Sequence, residues 1–393
     1  MGFCLNKMRK NAFVSNPFVV SGPIPRACFC DREKESEDLI RLLINGNNVA
    51  LLSDRRMGKT SLIDFCFADE RIRDSYLTAV VDIFPARSLD EMTTLLANGV
   101  IRAIAPAGKR AVRAFLQALR SLEGVAEFDP DTGLPTFRLG FSHWKKPEVS
   151  LGEIFEFLGS RSSPSLIAMD EFQQVSQFEE TNAEGLLRSF VQRTSGCHFI
   201  FAGSRRHLMQ EMFLTYARPF YQSASLLELK AIPEATYAAF AEKMFEKAGK
   251  GLDPDAPVWL SQALGGNTFC LQSVMNTAFS LTKKGAVCDR AAFERALKNR
   301  VLERLSGYKE VLSWLSVKQK GLLFAIAHEK TAQRMTSAAF VERYRLGSPS
   351  IVQAARKKLL QLDLITESEG RYRLTDPFFE YAIRRAFFDG PVS

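Results

Sequence analysis

Between about residue 48 and residue 232 the chain alternates short apolar runs with longer stretches whose apolar positions recur every three or four residues. The short runs are VALL (49–52), TAVV (78–81), LIAM (166–169), HFIFA (198–202) and SLLEL (225–229). Runs that are apolar at nearly every position suit parallel strands covered on both faces. The stretches 61–73 and 183–194, with helical spacing, supply such covers. The pattern predicts an α/β fold with a doubly wound parallel sheet. Five parallel strands are expected, with 49–52 central, between the runs around 198–204 and 224–230.

Between Pro106 and Pro147 two short alternating stretches flank Asp129-Pro130-Asp131-Thr132-Gly133, which is turn chemistry. A surface hairpin inserted over about 124–145 is expected within a core of residues 1–232. From Pro233 the strand-like runs stop, and helical patterns predict a helical lid over 233–305. In 306–393 three helical patterns precede two short strand-like stretches around Glu369-Gly370, the order of a winged helix-turn-helix. No internal repeat or low-complexity tract interrupts this order.

Composition narrows the classes. The 393 residues are 46% hydrophobic and 24% charged, a folded chain of two or three domains. No apolar run reaches the 18 or so residues of a membrane span, and the start lacks an apolar targeting core, so a cytoplasmic protein without membrane contact is expected. The seven cysteines are scattered without a CxxC pair, which suits reduced thiols, and the four histidines lack metal-ligand spacing. The formal charge is +8, from 52 basic and 44 acidic residues; after residue 300 there are 15 basic against 10 acidic residues, so +5 of it lies there. That asymmetry suits an anionic partner.

The strongest chemical signal is Ser53-Asp54-Arg55-Arg56-Met57-Gly58-Lys59-Thr60-Ser61, between the run VALL and a helical pattern. A phosphate-binding loop needs backbone N–H groups around the phosphates, a lysine for the β and γ oxygens, and a hydroxyl for Mg²⁺ at a helix N-terminus. Gly58, Lys59 and Thr60 supply these parts, while Ser53 stands where the consensus has glycine. Asp170 and Glu171 close the apolar run 166–169, where α/β sheets place their ligands. An aspartate there can hold Mg²⁺, and a glutamate can polarise a water against the γ-phosphate. Ser204, at the end of the run 198–202, is placed to orient that water near Lys59. Arg205, Arg206 and Arg218 are candidates for neutralising γ-phosphate charge.

Together these residues resemble the archaeal-type ATPase family, relatives of AAA+ and STAND P-loop NTPases that also occur in bacteria. The resemblance rests on Asn16-Pro17-Phe18, Phe29 with Asp31-Arg32-Glu33, the loop 55–61, Asp170-Glu171-Phe172-Gln173 and Gly203-Ser204. It continues through Pro219-Phe220-Tyr221, Gly265-Gly266-Asn267 and the stretch Tyr372–Phe379. It implies an AAA+-like core, a helical lid, a C-terminal winged helix, and ATP with Mg²⁺ as ligands, with Pro17 and Phe18 near the adenine. Thr268, in place of a usual proline, bears on lid coupling. Ser223, where many members carry arginine, removes one arginine-finger candidate.

In the winged helix Ser350, Gln353, Lys357 and Gln361 form one polar stripe, flanked by Arg356 and Lys358, with Ile351, Ala355, Leu359 and Leu362 opposite. Gln353, Arg356, Lys357 and Lys358 suit a DNA groove, and Arg371 and Arg373 in the wing suit phosphates. Winged helices also bind proteins, so double-stranded DNA, a protein partner and a second copy of the chain all stay open. Two readings follow: an ATP-hydrolysing switch or machine coupled through the winged helix, or a non-enzymatic DNA-binding regulator with ATP as a structural ligand.

Overall fold

The computed structural model describes residues 16–123, 127–139 and 144–388. Its central sheet has five parallel strands in the order Leu77–Asp82, Ser165–Asp170, Cys197–Gly203, Val49–Leu52 and Ser225–Glu228. The strand before the phosphate loop lies between 197–203 and 225–228, as expected. It is the fourth strand, however; the middle one is Cys197–Gly203.

Side-chain alternation explains why these strands read as continuous apolar runs. Ala50, Leu52, Ile167, Met169, Phe199 and Phe201 enter the core on one face of the sheet. Val49, Leu51, Leu166, Ala168, Ile200 and Ala202 enter a second core on the other face, against Leu39, Leu43, Leu62 and Ile63. Both faces are therefore dry, and each strand's carboxyl end is where polar residues emerge.

The hairpin expected over 124–145 is present as Glu127–Phe128 paired antiparallel with Pro135–Thr136 around the Asp129 turn; residues 124–126 and 140–143 lie outside the described residues. Its tip is exposed but its base is not a surface feature. Phe137 and Trp144 are buried with ring centroids 5.1 Å apart. The Asn98 amide bonds both backbone groups of Phe137, at 2.7 and 2.8 Å, and the Trp144 indole donates to Thr94 at 3.0 Å. The insertion is fastened to helix Leu89–Ile104.

Helices Glu234–Lys247, Asp255–Ala263, Thr268–Leu281 and Arg290–Leu302 share a third core. Phe18 and Cys30, from the start of the described chain, are buried in it too, as is Phe378. A fourth core unites helices Val317–Glu329 and Pro349–Gln361 with the wing strands Ile365–Ser368 and Arg371–Leu374. Their boundaries are locally encoded. Ser316 makes a capping box with Gln319, Ser348 caps a helix that opens on Pro349, and Asp376 caps one that opens on Pro377. Helix Pro349–Gln361 buries Val352, Ala355 and Leu359, whereas Leu362 is 44% exposed. Ala355 and Leu359 of the stripe read in the sequence are buried as expected, Val352 takes the place of Ile351, and Leu362 falls outside the helix and the core. All six described cysteines are free and buried. No described helix is long and apolar enough to cross a membrane.

Candidate nucleotide site

The loop after Val49–Leu52 turns through left-handed backbone at Arg56 (φ 61) and Gly58 (φ 90) before helix Lys59–Phe67 begins. At Gly58 a Cβ would meet nothing within 4 Å, so backbone conformation alone demands glycine there. Lys59 is only 6% exposed, and among the described residues its hydrogen bond goes to the neutral Ser53 hydroxyl at 3.2 Å. Burial holds its pKa below the ordinary lysine value, against the pull of Asp170, Glu171 and Asp54. A buried cation without a close ion-pair partner is a seat for an anion. Thr60 donates to the Asp170 carboxylate at 2.6 Å, which brings the two expected Mg²⁺ ligands together. Among the described residues no three His, Cys, Asp or Glu side chains cluster as a metal cage.

Glu171 follows Asp170 directly and occupies left-handed backbone (φ 58, ψ 38), a conformation costing a non-glycine residue about 1 kcal/mol. Phe172 anchors it. Fully buried, Phe172 packs on Phe201, Phe213 and Phe220 with centroids 4.5 to 6.0 Å apart. One Glu171 carboxylate oxygen accepts from the Ser204 hydroxyl at 2.7 Å and from the Gln173 amide at 2.5 Å. Ser204 thus reaches Glu171, while Lys59 bonds Ser53. Gln173, 2% exposed, had not been assigned a role from sequence.

Two further carboxylates escaped the sequence reading. Asp82 ends the edge strand in register with Asp170, and burial together with Asp170 and Glu171 raises its pKa. Asp64, one turn after Thr60, is raised by burial and by Asp170. The run TAVVD offered the signal, since it ends in an aspartate as LIAMD does.

Other expected residues are placed elsewhere. Phe18 is fully buried among Phe240, Phe245 and Phe279, so its ring has no surface left for an adenine. Pro17 precedes it on a segment tied to the lid by Asn16, which donates to the Asn276 carbonyl at 2.8 Å. Arg218 pairs with Glu184 at 2.5 Å and Glu211 at 3.5 Å, so its charge is already partnered by two carboxylates. Arg206 pairs with Glu228 at 2.6 Å.

Asp54, Arg55 and Arg56 face other domains. Arg55 pairs with Asp363 at 2.7 Å, and Asp54 with the wing's Arg373 at 3.4 Å. Arg373 is therefore turned to the phosphate loop rather than to an outside partner, while Arg371 is exposed nearer the wing's tip. From the lid, Asn267 donates to the Arg55 carbonyl at 3.1 Å, the Phe269 N–H to the Arg56 carbonyl at 3.2 Å, and the Arg56 guanidinium lies 4.6 Å from the centre of the Phe269 ring. The lid therefore contacts the loop through Asn267 and Phe269, the residues on either side of Thr268. A cavity of about 450 Å³ beside the loop is lined by core, lid and wing together, including Asp54, Ser204, Arg205, Asn267 and Arg373.

A buried loop lysine, a threonine–aspartate pair and a held glutamate, gathered at the carboxyl ends of two strands that flank Cys197–Gly203, are the arrangement of the P-loop NTPase fold, here with a winged helix against the loop. A family described as a probable winged helix domain matches residues 306–385. A Walker-type ATPase of Pyrococcus abyssi superposes with a TM-score of 0.63 at 19% identity, over 94% of this chain and 100% of its own. The ORC2 protein of Aeropyrum pernix, in its ADPNP–ADP complexes, gives 0.56 at 16% identity, over 95% and 98%. In its ADP form the same protein gives 0.52 at 14% identity, over 94% and 98%. No curated protein sequence matches the chain. At the level of fold, the resemblance to archaeal-type ATPases holds: a P-loop core of the AAA+ kind with a C-terminal winged helix.

Proposed function

We propose that the protein binds ATP with Mg²⁺ and hydrolyses it, and that the nucleotide state governs how the winged helix is presented to DNA or to a protein partner. The carrying observation is the Glu171 carboxylate, held at 2.7 Å by Ser204 on the neighbouring strand, beside the Thr60–Asp170 pair. In this reading Lys59 neutralises the β and γ phosphates, and Thr60 and Asp170 hold the metal. When bound, Mg²⁺ supplies charge neutralisation at the phosphate oxygens. Glu171 orients the attacking water and takes its proton, and Ser204 and Gln173 position Glu171. The regulator reading, with ATP as a structural ligand only, has no use for a glutamate held by two donors.

The switch reading draws support from the pairs Arg55–Asp363 and Asp54–Arg373, which tie the loop that would hold phosphate to the winged helix. A ligand that reshapes the loop acts on both pairs at once. The deciding experiment measures ATP binding and hydrolysis, with and without duplex DNA, for the wild type, Lys59→Ala and Glu171→Gln. Lys59→Ala is expected to weaken binding; Glu171→Gln is expected to bind and not turn over. Wild-type turnover by Glu171→Gln would overturn the hydrolytic assignment.

A further inference from the structure

Arg205 and His207 follow Ser204 almost directly, and both line two spaces. One is the cavity beside the phosphate loop. The other is a groove of about 780 Å³ between helix Arg206–Leu214 of the core and helix Pro349–Gln361 of the winged helix. The winged helix contributes Gln353, Arg356, Lys357 and Gln361 to its far wall. The polar stripe expected to meet a partner alone thus faces the ATPase core across this groove. Lys358, read from sequence as part of the same cluster, does not line it.

The groove's own lining carries positive charge only. No acidic residue is among its described lining residues. The nearby arginines 55, 206, 218 and 373 each have a carboxylate within ion-pair distance. Arg205 and Lys357 have none among the described residues, and Arg356 bonds only the neutral Tyr372 hydroxyl, at 3.2 Å. Burial and then the Arg205 charge hold the His207 pKa below its usual value, against the pull of Asp363, Glu367 and Glu211 behind the groove. Three cations and a histidine facing one another repel, and that repulsion is relieved by a polyanion between them. Gln353 and Gln361 add neutral donors and acceptors of the kind that contact phosphate and sugar.

We propose that this groove is a binding site for the sugar–phosphate backbone of a nucleic acid, built jointly by the ATPase core and the winged helix. The proposal rests on the nucleic-acid side of the function proposed above and adds to it two core residues and a route. Arg205 is the neighbour of Ser204, which holds Glu171, so a strand seated on Arg205 acts on the residue that positions the glutamate. Linkage then requires that bound nucleotide change nucleic-acid affinity by the same factor as nucleic acid changes nucleotide affinity.

The test is fluorescence anisotropy of labelled duplex and single-stranded oligonucleotides against the full chain across a salt series, with ATP binding and thermal melting as checks of folding. Each lost phosphate contact lowers the slope of log affinity against log salt by about 0.9 on duplex or about 0.7 on a single strand. Arg205→Ala and Lys357→Ala are each expected to lower it by one such step, and the pair by two; the oligonucleotide whose slope responds identifies which strand form occupies the groove. His207→Lys, which adds a charge, is expected to steepen the slope by one step and serves if Arg205→Ala misfolds. If the wild type binds oligonucleotides but Arg205→Ala and His207→Lys keep its slope, the groove is refuted and the winged helix alone carries the binding. If the folded wild type binds ATP and neither oligonucleotide even at low salt, the nucleic-acid reading falls and the groove with it.

Discussion

Ser204→Ala removes one hydroxyl and little else, because the side chain is 7% exposed and its hydrogen bond goes to Glu171 at 2.7 Å. A hydrogen bond to a charged group is worth about 1.5–3 kcal/mol. Gln173 still grips the same oxygen at 2.5 Å, so the lower end of that range applies. At about 1.4 kcal/mol per factor of ten, kcat is expected to fall about tenfold to thirtyfold. Neither Ser204 nor Gln173 bonds the phosphate-loop residues, so the ATP dissociation constant and KM are expected to stay within about twofold. Ser204→Thr, which keeps the hydroxyl, should recover most of the rate. Gln173→Ala should cost a similar factor, and the double variant less than the product of the two, since both donors serve one carboxylate. The assay is steady-state hydrolysis with a parallel equilibrium binding measurement. Unchanged kcat in Ser204→Ala, or a loss confined to KM, would refute the positioning argument.

Three other outcomes follow from the same geometry. Arg373→Ala combined with Asp363→Asn removes both ties between wing and loop; such half-exposed pairs are each worth about 0.2–1 kcal/mol, so hydrogen exchange of 365–374 should speed up by up to about thirtyfold with little change in melting, and unaltered exchange would show the ties to be idle. Phe18→Ala should destabilise the protein by about 3–5 kcal/mol in denaturant titrations, since the ring is fully buried in the lid core, while folded variant should keep its ATP affinity. Burial pushes the Glu380 carboxyl up to about 7 from its ordinary 4.5, against Arg384, Lys330 and Arg373. The folded state then binds more protons than the unfolded one between these values, so this group's effect lowers stability as pH rises from about 4.5 to about 7. Glu380→Gln should flatten that limb of a stability–pH curve and stabilise the protein at pH 8; an unchanged limb would contradict it.

The fold was legible because its signals are local and redundant. Apolar runs ending in Asp82, Asp170 and Gly203 mark strands covered on both faces, and Ser348-Pro349 and Asp376-Pro377 mark helix starts in any context. The loop, Asp170, Glu171 and Ser204 were legible for the same reason, since each sits where an apolar strand ends. Gln173, Asp82 and Asp64 were not. Gln173 becomes a partner of Glu171 only because Glu171 adopts left-handed backbone, and Asp82 lies beside Asp170 only because the chain returns to the sheet after an 82-residue excursion that pairs the two strands. Phe18 was misplaced because one phenylalanine looks alike in a binding pocket and in a core. Only the lid's Phe240, Phe245 and Phe279 decide the matter.

The winged helix marks the limit of such reading most clearly. Periodicity separates an apolar face from a polar one, yet it cannot tell a polar face in water from a polar face across a groove from another domain. In the wing, Arg371 and Arg373 alternate with the buried Tyr372 and so share one face, and Thr366 lies opposite Arg373 on the paired strand. Asp54 meets both Thr366 and Arg373, at 3.5 and 3.4 Å, so this basic face is the one turned to the phosphate loop. The contact is crosswise: the loop offers an acid, Asp54, and a base, Arg55, and the winged helix answers with Arg373 and Asp363. Because the charges balance within this interface, Arg373 and Asp363 add nothing to the excess counted after residue 300, which is left to basic residues without such a partner, Arg356 and Lys357 among them. Charge counted along the chain thus included Arg373, whose partner lies in the phosphate loop, together with Arg356 and Lys357, which line the groove facing the core.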